Sequence, residues 1–469
     1  MTLAAIIILA LGGLALALAA PNFDERPTVL GGLSGAVFGV TLLLGFGAMG
    51  ESGVLYGALE LGPVTGLALV LLSLIGLLVA AGATIRENGF ALGSGEVHAL
   101  VMWGVLGGVL LVGSAHLLMF YLGLELSAYS TYVLVGYDRD RRFGTEAAAK
   151  YMILGAVGSS LLLFGMALLY AETGSIGYAG IAAGLSYNVS PLALGGLVLM
   201  LVGIGFKLAW VPFHAWAPDA YQGAFPLMAG YLSVAPKTAV ALGLAVLLAR
   251  AFVGPAAATV QGWITALALL SVILGSIWAL TQTDVKRLLA YSTIVHMGFL
   301  GLGLATGSLT GYVAVGYYLL AYIVTSLGMF FTLEGLEAHG VASNLEAWKG
   351  LGRRSPLVGV LLAIFILSLA GVPLLAGFLA KLYVFAALAA AASWAALVAA
   401  VVMVVFGYYF YFRLLAALFL EEPAGEAGAV AFSPTALTLM ALLAAAVIAL
   451  GVWPQPALEW LRTAMMALV

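Results

Sequence analysis

Residues 193–216 read ALGGLVLMLVGIGFKLAWVPFHAW. About 20 apolar residues at 1.5 Å each cross a hydrocarbon core, so the stretch has the length and character of a membrane span. Yet its second half carries a lysine, Lys207, and a helix-breaking proline, Pro212. An ionisable group at membrane depth costs about 2.5 to 3.5 kcal/mol on insertion scales, so such a residue has to be compensated or used.

The rest of the chain has the same character. Of 469 residues, 64% are hydrophobic and only 8% charged, about a third of the usual charged fraction, and the mean hydropathy is +1.16. These values indicate an all-α polytopic membrane protein whose surface faces lipid or other apolar helices. Seventeen basic against twenty acidic residues leave a net charge of −3, with no basic excess for nucleic acid. Without cysteine the chain has no disulfide, thiolate zinc site or all-cysteine iron–sulfur cluster. His98, His116, His214, His296 and His339 lie far apart with no HExxH pattern, so neither a metal nor a bound cofactor is expected in this chain.

Fourteen apolar windows recur, at roughly 2–20, 28–49, 64–83, 97–116, 117–137, 146–170, 193–216, 225–250, 258–280, 288–306, 311–333, 356–390, 393–415 and 434–453. The first lacks a basic segment before its apolar run, which favours a retained helix over a cleaved signal. Four parts follow: three spans in 1–96, a five-helix unit in 97–250, a second in 258–415, and a last span with a tail in 416–469. The twelfth window is too long for one straight span and is interrupted by Gly371, Pro373 and Gly377. Spans 7 and 12 are therefore expected to be discontinuous, and each is the fourth helix of its unit. Units with an odd number of helices are inverted relative to one another, and matching interruptions in inverted repeats point to an ion site.

Lysine and arginine collect in cytoplasmic loops. One side of the proposed topology takes Arg26, Arg86, Arg139, Arg141, Arg142, Lys286, Arg287, Lys349, Arg353, Arg354 and Arg413, and the other takes Arg250 and Arg462. Eleven against two places both termini outside the cytoplasm, in a bacterial inner membrane. The four basic residues left over, Lys150, Lys207, Lys237 and Lys381, fall inside apolar windows. Lys150 is close enough to a helix start to snorkel to the interface, with a relay role as the alternative.

Glu125 is the one carboxylate deep within these windows, and it is the natural partner of Lys207. Moving a proton against about 150 mV costs about 3.5 kcal/mol, and making or breaking one ion pair in an apolar medium is worth a similar ~3 to 4 kcal/mol. Lys237 and Lys381 then pass the proton on, with His214 and His296 as candidate relays. The alternative is that these charges only fasten helices together, but one glutamate against three lysines is a poor balance for simple pairing. Gly301, Gly303 and Gly307 lack nucleotide-loop spacing, and Tyr408, Tyr409, Phe410 and Tyr411 look like an interfacial aromatic cluster.

At these residues the chain resembles the antiporter-like membrane subunits of respiratory complex I. The resemblance covers nearly the whole chain. It is carried by FYLGLELSAYSTYVL around Glu125, EAAAKYMILGA around Lys150, GFKLAWVPFHAWAPDAYQGA from Gly205 to Ala224, and LSVAPKTA around Lys237. TQTDVKRLLAYSTIVHMGF, LEAWKGLGRRSPL, LSLAGVPLLAGFLAKLYVF and GYYFYFRL add to it. One departure is Ala224-Phe225-Pro226-Leu227, where the family usually has a second proline. The chain stops soon after its last span, without the long lateral helix of the largest members, so it is more similar to the N-type than to the L-type subunits. The resemblance implies that Glu125 and Lys207 pair, that Lys237 is the central lysine and that Lys381 is the exit residue of a proton-translocating subunit. It also implies partners: neighbouring antiporter-like subunits in the bilayer, and other chains holding FMN, iron–sulfur clusters and the quinone site. An Mrp-type cation/proton antiporter without redox coupling is the second reading.

Overall fold

The computed structural model describes residues 1–23, 26–84, 94–138, 142–422 and 428–469. Arg86, Arg139 and Arg141 of the charge count lie outside the described residues. The N-terminal part contains α1 (Thr2–Phe23), α2 (Pro27–Ala48) and α3 (Pro63–Thr84). A first set follows, with α4 (Gly95–Val112), α5 (Leu117–Val135), α6 (Arg142–Thr173), α7 (Tyr178–Gly184), α8 (Pro191–Lys207), α9 (Trp216–Gly223) and α10 (Pro226–Arg250). A second set contains α11 (Pro255–Ala279), α12 (Val285–Ala305), α13 (Leu309–Ala338), α14 (Leu345–Trp348), α15 (Leu351–Arg354), α16 (Pro356–Ala370), α17 (Ala376–Ala390) and α18 (Trp394–Phe419). The chain closes with α19 (Pro434–Val452) and α20 (Gln455–Met465).

Twelve of the described helices are long and apolar enough to cross a membrane. Windows 7 and 12 are the two that do not form single long helices. The first is α8, an irregular stretch and α9; the second is α16 and α17 joined through residues 371–375. The protein is a multi-pass membrane protein.

Local chemistry sets the helix ends. Proline occupies the first turn of α2, α8, α10, α11, α16 and α19, where its missing N–H costs nothing. Ser94, Ser190, Asp284 and Ser308 cap the starts of α4, α8, α12 and α13 through their side chains, each worth about 1 kcal/mol. Gly371, at φ 90°, ends α16 in the left-handed region that favours glycine. Each break also holds a non-glycine residue at positive φ, Ala209 at 56° and Leu374 at 72°. Such a conformation costs about 1 to 3 kcal/mol and needs the surrounding structure to hold it.

α10 is buried along almost its whole length and packs against α3, α4, α12 and α13. It is the centre of the protein. α1, α2, α6, α18 and α19 expose rows of Leu, Val, Ile and Phe, as helices do that meet lipid or apolar partners. Three details depart from the sequence-based expectation. Residues 53–61 form a two-stranded hairpin, β1 (Gly53–Leu55) and β2 (Leu59–Leu61), too short to register as a pattern. The tail after the last span is the helix α20, seated against α3 and α13. α13 runs five residues beyond the predicted end at 333 and buries Glu334, which accepts the Leu227 N–H at 3.1 Å.

Close approach of α4 and α5 fixes the position of Glu125. A Cβ on Gly123 meets the Leu111 nitrogen at 2.4 Å, and one on Gly107 meets the Ser127 nitrogen at 2.5 Å. Small residues permit this backbone contact. Gly123→Val is therefore expected to destabilise the α4–α5 pair by about 1 to 3 kcal/mol, read as a lower thermal midpoint of the purified protein. A midpoint equal to wild type contradicts the packing described.

Candidate functional site

Lys207 is the last residue of α8, at the helix end whose partial negative charge favours a cation. Its Nζ lies 3.5 Å from Glu125 Oε1 and donates to the Tyr132 hydroxyl at 2.8 Å. Ser159 of α6 donates to the same oxygen, Glu125 Oε1. Both charged side chains are buried. The two residues that the sequence pairs, 82 positions apart, are an ion pair in the fold.

Lys237 is reached through aromatic rings. Tyr132 meets Tyr151 edge-on at 4.5 Å, Tyr151 stacks on Trp216 at 4.2 Å, and Lys237 Nζ sits 4.4 Å over the Trp216 ring. Trp216 is pinned by a hydrogen bond from its Nε1 to the Phe206 carbonyl at 2.9 Å. Lys237 is fully buried, and its Nζ has no hydrogen-bond partner among the described residues. Cation–π attraction, worth up to about 2 kcal/mol when desolvated, is the contact that holds it, and it stands close enough to Lys207 for the two charges to oppose each other. Pro236, one residue earlier, removes a bond to the Leu232 carbonyl inside α10.

Beyond Lys237 the interior turns to hydroxyls. Tyr322 of α13 is within reach of Ser233, one turn before Lys237, and shares a 2.9 Å hydrogen bond with Thr293 of α12. One turn further along α12, His296 bonds the Tyr318 hydroxyl through Nδ1 at 2.6 Å and the Tyr411 hydroxyl through Nε2 at 3.1 Å. A small cavity lined by His296, Tyr322, Thr325, Ser368 and Leu369 leads from there toward α17. Lys381 stands on α17, its Nζ donating to the carbonyls of Leu369 at 3.0 Å and Ala370 at 2.6 Å. Those carbonyls are free because α16 ends at Gly371. The break thus supplies the acceptors that the lysine needs.

Pro212 lies in the irregular stretch between α8 and α9, and Pro373 in the turn between α16 and α17. Two of the candidate relays stand apart from the row. Lys150 is half-exposed and pairs with Glu146 at 2.8 Å and Asp219 at 3.3 Å. His214 is half-buried with its ring stacked on Trp278 at 4.6 Å. Among the described residues no group of three or more His, Asp or Glu could hold a metal ion.

Several neighbours of the row are not legible from the sequence. Phe410 and Tyr411 are buried, not interfacial, and Tyr411 also bonds Ser292. The buried positions Met403, Gly407, Phe410, Tyr411 and Leu414 on α18 carry the helical spacing that identifies an inward face. Lys286, assigned by charge counting to a loop, is buried and pairs with Glu337 at 3.1 Å.

The family model for NADH:quinone oxidoreductase/Mrp antiporter membrane segments matches residues 114–407. A NADH-quinone oxidoreductase subunit N of Ectopseudomonas mendocina is 39% identical over 387 residues, 79% of this chain and 76% of that one. In the structure of respiratory complex I from Thermus thermophilus with bound aureothin, one chain superposes with a TM-score of 0.83 at 31% identity, covering 99% of this chain and 100% of that one. A chain of the Mrp complex from a Dietzia species superposes at a TM-score of 0.86 with 21% identity, covering 100% and 98%, a likeness of fold.

The pairing of Glu125 with Lys207 has a measurable consequence. Removing one partner of a buried ion pair leaves an uncompensated charge and costs about 3 to 5 kcal/mol, whereas replacing both is nearly neutral. Glu125→Leu alone is expected to lower the thermal midpoint in detergent, and adding Lys207→Met to recover most of the loss. A double variant no more stable than the single one contradicts the pair.

Proposed function

The chain belongs to the NADH:quinone oxidoreductase/Mrp antiporter family, and from that premise we propose that it is the proton-translocating, N-type membrane subunit of an NADH-quinone oxidoreductase. Electron transfer from NADH to quinone runs in other subunits, which hold FMN, the iron–sulfur clusters and the quinone. This chain takes the coupled half of the work. Its partners are neighbouring antiporter-like subunits in a bacterial inner membrane, and its lysine- and arginine-rich loops lie on the cytoplasmic face with both termini outside. The two five-helix sets form an inverted repeat around the row of lysines.

The observation that carries the proposal is the buried row itself: the Glu125–Lys207 pair, Lys237 on Trp216, and Lys381 at the end of α16. While the pair is closed, Glu125 balances Lys207. When a neighbouring charge draws Glu125 away, the ammonium groups of Lys207 and Lys237 face each other uncompensated in an apolar interior. The strain is relieved by passing a proton from Lys237 through Ser233, Tyr322, Thr293 and His296 to Lys381. One such event is worth ~3 to 4 kcal/mol, comparable with the cost of one proton against about 150 mV. An Mrp-type antiporter uses the same fold, but the 39% and 31% likenesses are to a quinone oxidoreductase subunit and a complex I chain, against 21% for the Mrp chain.

Lys237→Ala in the assembled complex, reconstituted in sealed vesicles, is expected to lower NADH-driven proton pumping at least tenfold with assembly intact. Normal pumping by that variant rejects the central role of Lys237. Copurification of the chain with flavin and iron–sulfur subunits is expected; cation/proton exchange by a complex lacking both favours the Mrp reading.

A further inference from the structure

The Glu125–Lys207 pair is not in full contact. Its charged atoms are 3.5 Å apart, well beyond the about 2.7 to 2.9 Å of a charge-assisted N–H···O bond. Each partner makes its short hydrogen bond to a neutral hydroxyl instead. Lys207 Nζ donates to the Tyr132 hydroxyl at 2.8 Å, and the Ser159 hydroxyl donates to Glu125 Oε1, the same oxygen that faces the lysine. All four side chains are buried.

Two helices place these hydroxyls. Glu125 and Tyr132 are seven residues apart on α5, two turns along one face. Against them α6 presents Tyr151, Gly155 and Ser159, all buried and at spacings of four, so they form one stripe. Each member of the stripe has a part. Tyr151 meets the Tyr132 ring edge-on at 4.5 Å and fixes its direction. Gly155 leaves the room that the hydroxyl occupies, since a Cβ there meets the Tyr132 oxygen at 2.0 Å. Ser159, one turn further, reaches Glu125. The α5–α6 contact is therefore shaped around the two hydroxyls, whereas an ion pair alone needs neither.

Their value lies in the opened pair. Separating a buried salt bridge is costly because each ion is left without a partner in an apolar interior, and a hydrogen bond to an ionised group offsets part of that cost. When Glu125 turns away, it keeps Ser159 and Lys207 keeps Tyr132, so neither charge is left bare. In the closed state the same hydroxyls occupy the positions of shortest contact and hold the charges apart. Both effects bring the closed and open arrangements closer in energy.

We propose that Ser159 and Tyr132 are positioning residues that set how readily the Glu125–Lys207 pair opens, each hydroxyl standing in for the partner that its charge loses. The proposal rests on the proton-translocating function above. It adds to that function the reason why a modest neighbouring charge is enough to open a buried pair. Without either hydroxyl the pair closes fully, one ion is stripped on opening, and each turnover meets a higher barrier.

The test uses whole complexes carrying Ser159→Ala, Ser159→Thr or Tyr132→Phe in sealed vesicles, matched by flavin content so that differences in assembly do not enter. NADH-driven proton pumping is expected to fall at least threefold in Ser159→Ala and in Tyr132→Phe, each of which removes a hydroxyl alone. Ser159→Thr, which keeps the donor, is expected to retain at least half of the wild-type rate. Threonine adds a methyl group at a buried position, so a role in packing alone predicts no such rescue. Wild-type pumping by either hydroxyl-lacking variant, or a Ser159→Thr variant as slow as Ser159→Ala, overturns the proposal. Infrared difference spectra between oxidised and NADH-reduced complex give a second reading. The Glu125 carboxylate band, assigned by its loss in Glu125→Gln, is expected to move in Ser159→Ala and to keep its wild-type position in Ser159→Thr. A band unmoved in Ser159→Ala, or no band lost in Glu125→Gln, overturns the proposal as well. If Lys237→Ala abolishes pumping while the hydroxyl variants pump normally, the role of the hydroxyls fails and the lysine row stands. If Lys237→Ala pumps normally, the functional proposal itself fails.

Discussion

An ammonium group in an apolar interior costs several kcal/mol unless something compensates it, and the architecture is organised by how three of them are compensated. Lys207 has a carboxylate, a hydroxyl and a helix end. Lys381 has two carbonyls released by a helix that stops early. Lys237 has the face of a tryptophan and no hydrogen bond among the described residues. The least compensated cation is thus the central one, between two that are better held. In the proposed function, a row graded in this way favours movement of a proton out of the centre whenever the balance at the Glu125 end is disturbed.

The broken helices follow from the same constraint. An unbroken helix satisfies its own carbonyls and offers a lysine nothing, whereas one that ends within the membrane exposes its last carbonyls and its partial negative charge. α8 ends at Lys207, and α16 ends where Lys381 reaches back to it. Both interruptions also hold a residue in the left-handed region, Ala209 and Leu374, a conformation that only the surrounding structure can hold.

Much of this was readable from the residues. Length and hydropathy identify the spans, Pro212 and Gly371 with Pro373 identify the interruptions, and a single deep glutamate next to unmatched lysines identifies the pair. What was not readable depends on partners distant in sequence. Nothing local distinguishes Tyr132, which holds Lys207, from Tyr129 three residues away, which is exposed. Tyr411 sits in a run of aromatics that resembles an interfacial belt, and only the contact of α18 with α11 and α16 turns it inward. Lys286 is near a helix start, where charge counting assigns it to a loop, and Glu334 falls one residue beyond the predicted end of its span; both are buried by contacts with distant residues, Glu337 and Ala224 for Lys286 and Leu227 for Glu334. Lys150 shows the converse, an apolar window whose lysine still reaches the surface and two acidic partners.

The account stands on buried lysines that change protonation during turnover. The most direct measurement is ¹⁵N magnetic resonance of the lysine Nζ atoms in the membrane-embedded complex, labelled in this chain and compared between the oxidised state and NADH-driven turnover. The account predicts that a minority of lysine signals shift from the ammonium toward the neutral amine position on turnover, and that the signal lost in Lys237→Arg is among them. Lysine spectra that stay entirely in the ammonium position in both states contradict it.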